Sequence, residues 1–506
     1  MADFSLFVGF IALILLLFSL LVLCGCVYLV YIHNRYSHLP GPRRSSFILG
    51  NIPEVRRYHK DGKIAYEYFL DMFEIFGPVF VLFVAYRPLV FITDPLYIKK
   101  IFVESHVHVP KSKSVYEKIA FVYGERALGH GLVTNRDRTS WLRRRRAINP
   151  AFHRHHLKNL MNPFNQVCDK LSTRLTSFAN EGREVGMLKE LGNAVLDVIG
   201  QVAFGVHLGT IEDPNSPFQE AINRMFQGIE DSIRKPFPSW FLQVHQYSVF
   251  QSEVQRSQID AIKFIRSFAR KCIAERLSAV QDGVSTDVLS HILKLPSDDS
   301  SITMEDLVDE FVTLFVAGYE TTASSLALTL FEVISNPEIE QNVLDEIEEV
   351  IGGKERVDYE DLARLKYVGQ CVMEGLRKFM IASGPNRLLT KDVTVGGFTI
   401  PRGCSIAVNK YALCRSATFW KKPDVFDPTR FSSPADIPNF RYVFMPFSLG
   451  PRNCVGQTFT MFEQKVVLAR LIQSFKFRLL PGQTSTIVDR STLTSKDGVR
   501  CTVECR

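Results

Sequence analysis

The sequence predicts a mainly α-helical body with a smaller β region, preceded by one N-terminal transmembrane helix. Three observations carry that prediction. An uncharged apolar run stands near the N-terminus, helical character dominates from the first β segment to about residue 380, and two short segments are rich in β-branched residues and turn glycines.

Residues 4–32 contain no charge, and as a helix they would run about 43 Å, enough to cross a bilayer with some tilt. A cleaved signal peptide fits less well, because Asp3 stands where a basic n-region belongs and the apolar run is too long. Arg35, Arg43 and Arg44 follow the span and Asp3 alone precedes it, so the positive-inside rule places everything after residue 35 in the cytosol. Next comes Leu39-Pro40-Gly41-Pro42, a stiff turn suited to fixing the angle between anchor and body.

Residues 79–93 are apolar and β-branched around Tyr86-Arg87-Pro88 and read as a hairpin. Farther on, Pro236, Phe237, Pro238, Trp240, Phe241 and Leu242 form an apolar break between helical stretches, which fits either a dip into the membrane or a loop packed on the core. After the polar residues 296–301, Thr303-Met304-Glu305-Asp306 has the form of a capping box and opens a long helix that Asn336-Pro337 closes. Residues 388–408 turn to short strands and glycine turns, Gly396-Gly397 among them. There is no internal repeat.

A net charge of +7 over 506 residues does not imply a nucleic-acid partner. The ten cysteines are scattered and include no Cys-x-x-Cys, which suits reduced thiols in the cytosol.

The most specific stretch is Phe447-Ser448-Leu449-Gly450-Pro451-Arg452-Asn453-Cys454-Val455-Gly456, which isolates one cysteine between a glycine turn, an arginine and the start of a helix. Cys454 suits an axial heme thiolate, a ligand that pushes electron density toward bound dioxygen and favours O–O cleavage. The turn amides and the positive end of a helix running through Met461 and Ala469 would lower its pKa. Gly450 and Gly456 suit close approach to a flat macrocycle, and Arg452 is placed to pair with a propionate. An isolated cysteine would otherwise read as a buried free thiol. The order Phe-x-x-Gly-x-Arg-x-Cys-x-Gly resembles the heme-binding signature of the cytochrome P-450 family.

Within the long helix, Ala317, Gly318, Tyr319, Glu320, Thr321 and Thr322 interrupt a bulky run. A mid-helix glycine costs about 1 kcal/mol relative to alanine, so the site suggests a need for room. An acid beside an alcohol could relay protons to dioxygen; a solvated polar face is the plainer alternative. Ala317, Gly318, Glu320 and Thr321 match the family's oxygen-activating helix, which implies catalytic roles for Glu320 and Thr321. The resemblance also implies a structural network of Glu374, Arg377 and Arg430, the first two sharing a helix face. It implies that Trp141 and Arg145 bind heme propionates, that Arg387 is a further propionate ligand, and that the other arginines of residues 143–146 face an acidic electron donor. A nucleic-acid patch is the rival for that basic run, but it is short and leads into Asn149-Pro150-Ala151-Phe152, which also fits the family. His153, His155 and His156 read as an exposed helix start rather than a metal site.

The family match implies the cytochrome P-450 fold, with residues 1–34 as the anchor and residues 35–506 as a single heme-thiolate catalytic domain. The cofactor is then heme b, iron protoporphyrin IX held through Cys454. Gly124-Glu125-Arg126, residues 129–133 and residues 446–450 with Gly456-Gln457 are similar to the cholesterol 24-hydroxylases within the family, which are sterol side-chain monooxygenases. One departure is that residues 378–385 replace the aromatic or leucine and two prolines that usually follow the arginine matched by Arg377.

The resulting expectation is a single-pass endoplasmic reticulum enzyme, its domain cytosolic, that hydroxylates an unactivated C–H bond of a lipophilic substrate, a sterol foremost. Other lipid, retinoid or xenobiotic hydroxylation is an alternative, as are a heme-thiolate isomerase or dehydratase and a non-enzymatic membrane heme carrier or sensor. Because no Gly-x-Gly-x-x-Gly fingerprint occurs, the two electrons are expected from an NADPH-dependent flavoprotein reductase on the same membrane.

Overall fold

The computed structural model describes residues 2–105, 109–158, 160–213, 215–234, 251–278 and 287–506. The apolar patch at residues 236–242 lies outside them.

The N-terminal run forms one helix, α1 (Ala2–Arg35). Its stretch Phe7–Arg35 has a mean hydropathy of 3.1 and an 18-residue window with no burial against the body, so it is a candidate membrane span. Its end docks: Ile32, His33, Tyr36 and Leu39 are buried, and the His33 ring packs edge-on against Phe47 at 5.5 Å and Phe83 at 5.2 Å. The turn that follows runs along the sheet, with Val81 N–H donating to the Pro40 carbonyl at 2.8 Å. At Gly41 a Cβ would stand 2.3 Å from the Val81 carbonyl oxygen, so only glycine fits there.

The helices α2 (Ile52–Lys60) and α3 (Ala65–Phe76) precede the hairpin of β1 (Val79–Val84) and β2 (Arg87–Ile92). The hairpin turns at Ala85, whose φ is +54°, so Arg87 and Pro88 already belong to the second strand. The helical body follows with α4 (Lys113–Ala120), α5 (Arg138–Ile148), α6 (Met161–Glu181), α7 (Met187–Phe204), α8 (Pro217–Arg234) and α9 (Glu253–Ser278).

Helix α10 (Met304–Ser335) is the axis of this body. Thr303 and Asp306 cap it reciprocally: Thr303 N–H donates to Asp306 Oδ2 at 3.0 Å, and Asp306 N–H donates to Thr303 Oγ1 at 3.3 Å. Its length and apolarity would also suit a membrane, but most of it is buried within the body, as befits a core helix. Asn336 ends it and caps α11 (Pro337–Val350) by accepting from Glu338 N–H at 3.1 Å.

Helix α12 (Lys366–Phe379) stops at Met380, which takes a left-handed φ of +42°. The smaller β region then supplies β3 (Asn386–Leu388), β4 (Val393–Val395), β5 (Phe398–Ile400) and β6 (Ser405–Val408). The principal sheet has the order β1-β2-β6-β3. Strand β6 runs parallel to β2, Leu89 facing Ser405 and Ile92 facing Val408, and antiparallel to β3, Arg387 facing Ile406. The short helix α13 (Lys410–Arg415) follows, and after the cysteine loop α14 (Gln457–Ser474) returns through the core beside α6, α10 and α12. Strands β7 (Phe475–Leu479), β8 (Ile487–Asp489), β9 (Leu493–Ser495) and β10 (Arg500–Cys505) close the chain. Of these, β8 and β9 form a hairpin and β7 pairs with β10.

Candidate active site

The cysteine loop is a closed turn. Cys454 N–H donates to the Phe447 carbonyl at 2.9 Å, which brings the partly buried Phe447 and the cysteine to the two ends of one bend. Gly450 has a φ of +70°, and a Cβ there would meet the Phe102 carbonyl oxygen at 2.6 Å. Packing against the chain itself therefore already requires glycine here. At Gly456 a Cβ would find only Cys454 Sγ, at 3.9 Å, so the small residue leaves space beside the sulfur.

Cys454 keeps accessible surface although protein surrounds it, so that surface faces a cleft rather than open water. Enclosure pushes its thiol above the ordinary value, while the Gly456 amide, Arg145 and Lys410 pull the other way. The turn amide thus favours the thiolate, as the sequence implies, and enclosure opposes it. Coordination to a metal would remove the proton outright.

Above the loop, α5 presents Trp141, buried, and Arg145 one turn later. Arg145 donates to the Asn453 carbonyl at 2.8 Å and to Asn453 Oδ1 at 3.0 Å. The Arg452 guanidinium lies over the Trp141 ring, 4.1 Å from its centroid, and donates to the Asn135 carbonyl at 2.7 Å. Arg387, buried on β3, donates to the Asn386 carbonyl at 3.0 Å and to Tyr116 Oη at 3.4 Å. Lys111 joins them, also buried, donating to the carbonyls of Leu132 at 3.4 Å and of Val133.

These four cations hydrogen-bond to neutral oxygens, and among the described residues none is ion-paired to a carboxylate. Burial and then the Arg387 charge lower the Arg452 guanidinium to about 10. Lys111 is lowered well below the ordinary lysine value by burial, then by Arg452, Arg387 and Arg145. Such an unneutralised cluster beside a thiol fits a dianionic ligand whose metal takes the sulfur, which is the chemistry of heme b with its two propionates.

The rest of the basic run in α5 turns elsewhere. Arg144 is buried and reaches Glu310 at 3.2 Å and Asp306 at 3.1 Å on α10, and Arg143 pairs with Asp299. Successive helical residues point about 100° apart, so four consecutive arginines cannot share one outward face. The expectation that Arg144 faces an electron donor is thereby corrected.

Helix α10 shows a gap in its burial: Ala317 is exposed and Thr321 partly so, although the helix around them is core. Thr321 Oγ1 donates to the Ala317 carbonyl at 2.8 Å. Gly318 serves a different neighbour, since a Cβ there would come within 2.9 Å of Ile199 Cδ1 on α7. Its small size thus lets two helices come together. Tyr319 is buried on that same side, near Gly192.

Glu320 is buried and turned toward the hairpin of β8 and β9, where the Ser491 hydroxyl donates to its Oε2 at 3.2 Å. Burial pushes its carboxyl up to about 7, against the opposing effects of Thr492, Ser491 and Arg490.

Behind the cysteine loop, Glu374 and Arg377 of α12 are fully buried and doubly bonded, with both N–O distances 2.7 Å. Arg430 Nε donates to Glu374 Oε1 at 3.3 Å, and Arg377 also donates to the Cys414 carbonyl at 2.7 Å. All three residues singled out by resemblance therefore meet. The functional positions that sequence reasoning missed are Lys111, Asn453, Ser491 and Lys410. Only Lys410 carried a local signal, a lone charge inside an apolar run.

Residues 39–500 match the family model described as Cytochrome P450. Among curated relatives, the chain is 29% identical to Cytochrome P450 3A6 of Oryctolagus cuniculus, the alignment covering 92% of each protein. It is 28% identical to Cytochrome P450 3A29 of Sus scrofa and 27% identical to Cytochrome P450 3A5 of Homo sapiens, over 90% of each protein in both comparisons.

Proposed function

Because the chain belongs to the cytochrome P450 family, we propose that it is a membrane-anchored enzyme that hydroxylates an unactivated C–H bond of a lipophilic substrate, the side chain of a sterol foremost. Its class is cytochrome P450 monooxygenase, and its cofactor is heme b with an axial cysteine thiolate. When bound, that group supplies the cleavage of dioxygen and the transfer of one oxygen atom to carbon.

The observation that carries the reading is Cys454, which keeps accessible surface at the end of a closed loop beside Arg145, Arg387, Arg452 and Lys111, a cation cluster with no carboxylate partner among the described residues. In this reading Cys454 is the metal ligand, and Arg145, Arg387, Arg452 and Lys111 hold the propionates while Trp141 supports Arg452. Glu320 holds a proton at its carboxyl near neutral pH, and Thr321 offers a hydroxyl at the cleft wall, so together they manage proton delivery during turnover. Glu374, Arg377 and Arg430 keep the loop side of the core rigid.

The sterol assignment is supported by the stretch resembling the sterol side-chain hydroxylases, which is held onto α10. Arg126 pairs with Asp309, the His130 N–H donates to Asp309 Oδ2 at 2.6 Å, and the Leu132 N–H donates to Glu310 Oε2 at 3.0 Å. The exposed apolar helix α1 supports a single-pass anchor in the endoplasmic reticulum membrane with the body in the cytosol, and hence electron supply from an NADPH-dependent flavoprotein reductase there.

The decisive experiment is the carbon monoxide difference spectrum of the reduced protein beside that of Cys454→His. Loss of the thiolate signature in the variant is expected, and an unchanged spectrum would overturn the ligand assignment. Titrating the ferric protein with sterols, fatty acids and retinoids then tests the substrate. A sterol is expected to displace bound water and shift the Soret band; no response to any sterol would remove that choice.

A further inference from the structure

Lys410 opens α13 as a lone cation in an apolar segment and is buried, with 3% of its surface exposed. Its ammonium donates to the Ala382 carbonyl at 2.8 Å and to the Pro446 carbonyl at 3.1 Å. Ala382 belongs to residues 378–385, the segment that departs from the family pattern after Arg377. Pro446 precedes Phe447, whose carbonyl takes the Cys454 N–H. One side chain therefore straps the segment leaving α12 to the start of the ligand loop.

A buried ammonium with only carbonyl partners is costly, so a counter-charge is expected near it. No carboxylate supplies one: among the described residues Lys410 has no ion pair, and the ionisable groups that act on it are the thiols of Cys414 and Cys454. Cys414 lies on the same short helix, where burial keeps it protonated against Lys410, Arg377 and Arg415; Glu374, which also acts on Cys414, is consumed by Arg377. Cys454, on which both Arg145 and Lys410 act electrostatically, is the group that becomes an anion when coordinated.

We propose that Lys410 is a positioning residue for the axial ligand, a buried cation that fixes the start of the cysteine loop and faces the sulfur with compensating positive charge. The inference rests on Cys454 as the heme ligand. Stabilising the sulfur's charge favours the more electron-rich ferrous state, so Lys410 raises the reduction potential of the bound iron and resists protonation of the sulfur.

The test compares the holoenzyme with Lys410→Gln, which can still donate to both carbonyls but is neutral, Lys410→Met, which can do neither, and Lys410→Arg, which keeps the charge. The readouts are the midpoint potential and the rate at which the reduced carbon monoxide complex passes from its thiolate-ligated to its thiol-ligated form on warming. Both neutral variants are expected to shift the ferric–ferrous equilibrium about tenfold toward ferric, which is about 59 mV for one electron. The thiolate-ligated complex should decay about tenfold faster in Lys410→Met, at an intermediate rate in Lys410→Gln, and at the parent rate in Lys410→Arg. A Lys410→Gln holoenzyme with the parent's potential and decay rate would overturn the proposal. Should Lys410→Met not retain heme, Lys410→Gln and Lys410→Arg decide the matter. A parent protein that never shows a thiolate signature would instead defeat the assignment of Cys454.

Discussion

Arg145 donates to both oxygens of Asn453, at 2.8 Å and 3.0 Å, and so joins the helix that carries Trp141 to the residue immediately before the ligand cysteine. Its Nε is taken by Asn149 Oδ1 at 2.6 Å, one turn along the same helix. The guanidinium fork is therefore held at three points before any carboxylate arrives. Such preorganisation is what an ammonium on a flexible stem cannot reproduce.

Arg145→Ala is expected to lower stability by about 3 kcal/mol, since hydrogen bonds to a charged group contribute roughly 1.5–3 kcal/mol each and not all are independent. Heme absorbance per mole of protein after gel filtration should fall as well. Arg145→Lys should recover only part of either loss, and full recovery would show that charge alone matters at this position.

The two loop glycines should separate cleanly. Gly450→Ala places a Cβ 2.6 Å from the Phe102 carbonyl oxygen at a φ of +70°, so both a clash and backbone strain oppose it. A loss of about 3 kcal/mol or more is expected in thermal or urea denaturation. Gly456→Ala meets only Cys454 Sγ at 3.9 Å, so the apoprotein should be near parent stability while the heme spectrum changes. Equal destabilisation of the two apoproteins would contradict this division of roles.

Glu374 and Arg377 are both without solvent exposure, so removing Glu374 leaves the buried Arg377 without a counter-charge, whereas removing Arg377 leaves Glu374 with Arg430 alone. Glu374→Ala should cost about 3 to 5 kcal/mol. The paired replacement Glu374→Leu with Arg377→Met should be less harmful than the sum of its parts, because Arg377 is then no longer left unpaired, although Arg430 still loses its carboxylate. A double-mutant cycle by urea denaturation measures that coupling.

Thr321 is half-exposed on a helix whose neighbours are buried, and its hydroxyl already has the Ala317 carbonyl as acceptor at 2.8 Å. Thr321→Ala should leave stability within about 1 kcal/mol, the value of one hydrogen bond. It should raise hydrogen peroxide release per NADPH consumed by the reductase-coupled enzyme. An unchanged coupling ratio would remove Thr321 from proton management.

Much of this molecule could be read from the chain. The uncharged run before Arg35, the Thr303–Asp306 cap and the Asn336-Pro337 stop gave helix ends because each uses local chemistry. The site was legible where a motif fixes several residue types at set spacing, as from Phe447 to Gly456. What resisted reading depends on distant segments. Gly450 answers to Phe102 and Gly318 to Ile199, packing contacts that no spacing announces. Arg144 looked like its neighbours until helix rotation carried it onto Glu310. The Cys454 thiol was expected to be lowered by its turn and helix end, but enclosure, which only tertiary packing supplies, has the larger effect.

Glu320 ties its proton to pH in two separable ways. Burial raises its carboxyl to about 7 from an ordinary value near 4.5, so the native state binds one more proton than the unfolded chain between those limits. Stability contributed by this residue is thus fully present below about pH 4.5, declines as pH rises toward 7, and is level above, the whole change being on the order of 3 kcal/mol. Glu320→Gln should make the slope in urea denaturation between pH 5 and pH 8 shallower by this share, while Glu310, whose carboxyl burial also raises to about 7, keeps its own contribution. In catalysis the same protonated carboxyl is the donor, so turnover should fall as pH rises above 7 in the parent and be low but flat in Glu320→Gln. Ser491→Ala removes the hydroxyl that favours the carboxylate, so it should move the parent's fall to higher pH. If the variants keep the parent's profile of turnover against pH, the proton does not come from Glu320, whereas a stability slope in Glu320→Gln equal to the parent's would show that Glu320 does not contribute to it.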